Sequence, residues 1–157
     1  MYIWNINALI TALREDCFTE KQRKNYRSIF WIIAAISIIS LPIVYDFSTM
    51  NQMDIIDFIC FIMINGIGLF VLFRIYKKGN KKEFFLPYIS LAIPILLRYI
   101  LLVIALNGIG YFLIYDLLPN QSLEETNLMD LTISIIVEVV YNLMFIHYFK
   151  KINKKGI

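Results

Sequence analysis

Four stretches of this chain are apolar almost without interruption, at residues 29–45, 55–73, 84–115 and 131–149, and charged or turn-forming residues separate them. Each approaches or exceeds the length of about 20 residues that a helix needs to cross a hydrocarbon core about 30 Å thick. Lipid offers backbone N–H and C=O groups no partner, so such spans close their own hydrogen bonds as helices. The pattern predicts an all-α polytopic membrane protein with four transmembrane helices at about 29–45, 55–73, 86–106 or 94–115, and 131–149. The two options for the third arise because its run, about 48 Å as a straight helix, is too long for one crossing, and Pro87 and Pro94 offer alternative starts.

Ahead of the first run the period changes. Ile6, Leu9, Ile10, Leu13 and Cys17 recur at helical spacing while Asn7, Thr11, Arg14 and Glu15 fall on other faces, which predicts a short amphipathic helix within residues 1–18. No basic stretch, compact apolar core and small-residue cleavage site follow one another here, so the segment reads as retained and not as a signal peptide. With Trp4 at headgroup level, the helix is expected on the cytoplasmic leaflet, resting on Leu9 and Leu13 or docking a partner. Thr19 and Gln22 fit a capping box, so a new helix is expected to start near Glu20 and to lead the transmembrane domain, residues 19–157.

Charge orients the spans. Arg14, Lys21, Arg23, Lys24 and Arg27 precede the first; Arg74, Lys77, Lys78, Lys81 and Lys82 follow the second; Lys150, Lys151, Lys154 and Lys155 follow the fourth. The loops around 46–54 and 116–130 hold no Lys or Arg. The positive-inside rule then puts both termini and the middle loop in the cytoplasm, as for a bacterial inner (plasma) membrane protein. The basic clusters are expected to do no more than set topology; the alternative is that they also attract anionic lipid headgroups. Composition agrees with a bilayer as solvent, since 59% of the 157 residues are hydrophobic, mean hydropathy is +0.67 and only 17% are charged.

Asn-Gly-Ile-Gly occurs twice, at 65–68 and 107–110. In water it would signal a turn. The first copy, about 16 Å into the second span, cannot be one and is expected to form a bend or a close helix contact, with Asn65 bonding across the bundle. The second either ends the third span at the outer surface, leaving Tyr111 to Leu118 along the interface, or lies inside it. Chance is favoured over duplication as the origin of the repeat.

Ionisable groups inside spans are the most telling residues, because a charge at a helix centre costs about 2.5 to 3.5 kcal/mol on insertion scales and must face protein, water or an opposite charge. Arg98 and Glu138 both fall about 10 to 12 Å below the outer boundary if the third span starts early, and are expected to pair. If it starts at Pro94, Arg98 snorkels to the cytoplasmic side and leaves Glu138 alone. Asp130, Ser134, Glu138 and Asn142 recur every four residues as one polar stripe, and Asp57 and Asn65 form a sparser seam on the second span.

No catalytic, metal or cofactor motif is visible. His147 is the single histidine, and the topology separates Cys17 from Cys60. Nucleic-acid binding by short basic loops is not expected. No motif identifies a family, though size and layout alone are similar to those of bacteriocin-immunity proteins and membrane subunits of antiphage systems. The expected function is therefore a non-catalytic, homo-oligomeric membrane component of a defence, immunity or stress system. Its helix at 1–18 and basic residues would engage a cytoplasmic partner. The alternative is an oligomeric ion channel using Glu138 and the polar stripe.

Overall fold

The computed structural model describes residues 2, 4–44, 48–79, 83–114 and 126–153, with backbone alone for 41–44 and 113–114. Among them the chain forms α1 (Ile6–Arg14), α2 (Glu20–Val44), α3 (Gln52–Lys78), α4 (Phe85–Ile109) and α5 (Leu128–Asn153), with a π-helical turn over Gly110–Ile114 extending α4 and no strand. Lys81, Lys82, Lys154, Lys155 and residues 115–125 lie outside the described residues.

Local chemistry sets most of the helix starts. Asn5 accepts from the Ala8 N–H at 3.0 Å. Thr19 and Gln22 make the reciprocal bonds of a capping box, at 3.2 and 3.1 Å, so α2 starts at Glu20 as its sequence predicts. Asn51 with Asp54 caps α3 in the same way, at 2.9 and 2.8 Å, and Asn127 with Asp130 does so at the start of α5, at 3.0 and 3.2 Å. Asn51 then donates to the Thr126 carbonyl at 3.1 Å, tying the first turns of α3 and α5 together.

The long helices form an open row in the order α3, α5, α4, α2 rather than a closed four-helix bundle. Asn65 meets residues 138 and 142 while Gly79 meets Asn153, so α3 and α5 run parallel. Against them α4 is antiparallel: Tyr88 stacks on Phe145 with centroids 5.0 Å apart, and Tyr111 reaches Asp130. Among the long helices α2 packs chiefly on α4, through Phe30 edge-on to Tyr88 at 6.5 Å. Lys77 and Lys78, Lys150 and Lys151, and the basic start of α2 consequently share one end of the row, where Arg14 donates to the Lys151 carbonyl and Arg23 lies near Glu83.

Two expectations change. Among the described residues, three helices, not four, are long and apolar enough to cross a membrane: Gln52–Lys78, Phe85–Phe112 and Leu128–Asn153. α2 is not among them: Lys21, Arg23, Lys24 and Arg27 occupy its first turns, and side chains are described only to Ser40 of an apolar run that the sequence continues through 41–44. The second correction concerns α1, whose Ile6, Leu9, Ile10 and Leu13 are buried against α4 and α5 in one core with Leu91, Ile95, Phe145, Phe149 and Ile152. Its amphipathic period is real, but the apolar face meets protein and not the leaflet surface.

Candidate functional site

Halfway along the row, one carboxylate joins three helices. Glu138 on α5 is 7% exposed. Its Oε2 accepts from Asn65 Nδ2 of α3 at 2.8 Å, and its Oε1 accepts from the Tyr99 hydroxyl of α4 at 3.1 Å. The Asn65 amide also donates to the Phe61 carbonyl one turn back, at 2.9 Å, and its Oδ1 accepts from Asn142 Nδ2 at 3.1 Å. Asn142 donates in addition to the Glu138 carbonyl at 3.0 Å. Both N–H groups of each amide are thereby used. Interhelical hydrogen bonds in membranes average about 0.6 kcal/mol, so the three here contribute about 2 kcal/mol to holding α3, α4 and α5 in register.

The first Asn-Gly-Ile-Gly lets the helices come close enough for this. Gly68 lies one turn after Asn65 on the same face, and a Cβ placed there would overlap the Asn142 side chain. Gly66 faces open space. The second copy repeats the division: Asn107 bonds back to the Val103 carbonyl at 2.9 Å and Gly108 is open. A Cβ on Gly110 would lie 3.0 Å from Ile133 Cδ1 and 3.1 Å from Met129 Sδ, both on α5. Each copy therefore turns its second glycine toward α5, the first near the middle of that helix and the second near its start. The π turn follows directly, and within it Tyr111 donates to Asp130 Oδ1 at 2.8 Å.

The expected Arg98–Glu138 ion pair is not formed. α4 begins at Phe85, and adjacent helical residues are about 100° apart, so Tyr99 takes the position facing Glu138 and Arg98 turns toward α1. Its guanidinium runs back along α4, donating to the Pro94 carbonyl at 2.9 Å and to the Trp4 carbonyl at 3.3 Å. It snorkels toward the basic end, as expected for the late start, but from a helix that starts early. Among the described residues Glu138 has no cationic partner.

Asn65, Glu138 and Asn142 thus converge, while Ser134 and Asp57 are half-buried one and two turns away and take no part in Glu138's bonds. Tyr99 is the member that sequence reasoning missed. Its signal was a phenol level with Glu138, since a buried tyrosine hydroxyl needs a partner.

The residues expected to dock a partner separate into two groups. Leu9 and Leu13 are inside the core and unavailable for docking, and Arg14 donates to the Lys151 carbonyl at 2.9 Å. Arg23 pairs with Asp16 at 2.7 Å and lies 4.0 Å from Glu83. Trp4, 76% exposed, and Lys21, Lys24 and Arg27 remain on the surface. Beneath them Tyr26 is fully buried, stacks on Phe18 at 5.5 Å and accepts from the Tyr2 N–H at 2.8 Å. Burial raises its phenol pKa above the ordinary value of 10.

Comparison with protein-family models, with curated proteins and with solved structures finds no match to this chain, so its function is argued from the geometry alone.

Proposed function

We propose that this chain is a non-catalytic membrane interaction protein, homo-oligomeric, serving a bacterial defence, immunity or stress system with its basic end at the cytoplasmic face. α2 runs from Arg27 at the basic end toward Asn51, which touches Thr126 at the other, so it acts as a fourth crossing beside the three more apolar helices. One observation carries the reading: the polar side chains inside the row satisfy one another, Asn65, Tyr99 and Asn142 around Glu138, and act as packing groups. The charged groups exposed to another molecule lie instead at the basic end, on Lys21 and Lys24.

The test is co-purification from native membranes at moderate salt. A specific partner should be recovered with the wild-type chain and lost with the double substitution Lys21→Glu and Lys24→Glu, both at exposed positions. Recovery of the same partner with that variant would overturn the proposal. Orientation is checked on Cys17, which is exposed: an impermeant maleimide should label it in inverted vesicles and not in intact cells.

A second reading, an oligomeric ion channel, is favoured by the lack of a cation beside Glu138 among the described residues. It requires reconstituted protein to pass a current that Glu138→Gln alters.

A further inference from the structure

At the basic end, where α2 and α3 share no substantial contact, a cleft of about 480 Å³ separates them. Arg27 lines it from α2, Phe73 and Tyr76 from α3, and Glu83, Phe84, Leu86 and Ile89 from the start of α4. The lining is graded along the helices. Arg27, Tyr76 and Glu83 supply its polar side chains; Phe73 lies inward of Tyr76 along α3, and Leu86 and Ile89 lie inward of Glu83 and Phe84 along α4. Phe84 is a fixed wall, in ring contact with Tyr76 at 5.4 Å, Tyr88 at 5.7 Å and Phe149 at 5.6 Å.

Charge is unequally distributed over the polar side chains of the cleft. Arg23 already lies between Asp16 and Glu83, so the one acidic side chain of the cleft has a cation beside it. Arg27 makes no hydrogen bond or ion pair among the described residues. Lys77 sits 5.0 Å over the ring of Phe73, a wall of the cleft, and adds positive charge beside it. A cationic rim above an apolar slot, placed at the expected headgroup boundary, complements an anionic amphiphile better than a soluble anion, which would leave the aromatic walls uncovered.

We infer that the cleft binds one anionic phospholipid, with the phosphate on Arg27 and an acyl chain along Phe73, Phe84, Leu86 and Ile89, so that the lipid joins α2 to α3. This rests on the membrane placement proposed above. The chain contains two tryptophans, and Trp31, one turn beyond Arg27 and 63% exposed, reports on lipid at this position once Trp4→Phe removes the other. In vesicles mixing ordinary with brominated lipid, brominated phosphatidylglycerol should quench Trp31 with an apparent affinity about fivefold above that of brominated phosphatidylcholine, the factor associated with one basic residue at an anionic surface. Arg27→Gln should bring that ratio to about one with helical circular dichroism unchanged, whereas Lys150→Gln, which removes the same charge on α5, should preserve it. Added inorganic phosphate should not reduce the quenching.

Equal quenching by the two lipids, a ratio that survives Arg27→Gln, or displacement by inorganic phosphate would each overturn the lipid site while leaving the membrane placement standing. Absence of quenching by either lipid would overturn both.

Discussion

Replacing Gly68 by alanine tests the contact on which the polar cluster depends. The added methyl would overlap the Asn142 amide and lie 2.6 Å from its Cγ and 3.3 Å from its Cβ, so the side chain has to leave. Asn142 then loses its bonds to Asn65 Oδ1 and the Glu138 carbonyl, of which the interhelical one is worth about 0.6 kcal/mol. Overpacking at a closely fitted site adds about 1 to 3 kcal/mol. Against this stands the conformational gain from Gly to Ala within a helix, about 0.5 to 1 kcal/mol. The net expectation is destabilisation by about 1 to 3 kcal/mol. Gly66→Ala, two residues away and facing open space, should show only the gain. The contrast is measured by unfolding in detergent micelles with increasing SDS, followed by circular dichroism. Asn142→Ala should be less harmful in the Gly68→Ala background than alone, because the overlapping atoms are gone. Equal stability of the Gly66→Ala and Gly68→Ala proteins would refute the close approach of α3 and α5.

Gly110→Ala should be milder than Gly68→Ala, at about 1 kcal/mol or less, because Met129 and Ile133 present flexible side-chain ends to the new methyl; the same unfolding assay reads it, with Gly108→Ala as control. Tyr99→Phe leaves Glu138 Oε1 without its donor and should cost about 1 to 2 kcal/mol, while Asn65→Ala, which removes bonds to both Glu138 and Asn142, should cost more. At alkaline pH, Tyr26 should weaken the fold. Its folded pKa lies above the unfolded value of 10, so its contribution is complete below pH 10 and is lost as pH rises from there through the folded pKa. Tyr26→Phe should lower stability at neutral pH by removing the acceptor of the Tyr2 N–H, and should flatten that alkaline decline.

Much of the helical plan could be read from periodicity, because apolar run length and cap chemistry are local properties. Thr19 and Gln22 announced the start of α2, and Asn51-Gln-Met-Asp54 and Asn127-Leu-Met-Asp130 carried the same legible signal for α3 and α5. What periodicity cannot convey is which face meets which neighbour. The amphipathic face of α1 has one appearance whether lipid or protein covers it, and only the packing of Leu9 at the seam of α4 and α5 decides the matter. The site was half legible. Asn65, Glu138 and Asn142 stood out because polar groups in spans must be shielded, but assigning Arg98 as the partner relied on depth alone. The angular position on α4 gives that place to Tyr99, one residue later.

Nascent α2 and α3 leave the ribosome next to one another yet have almost nothing to say to each other in the finished row, since α2 leans on α4 and α3 on α5. During synthesis α1 and α2 can pack on α4 as soon as it is made, whereas α3 has to wait for α5, the latest of the described helices, which also joins α1 and α4 to it. A chain that stops before Leu128 therefore keeps α1 and α2 with α4 but leaves α3 without the helix it packs on.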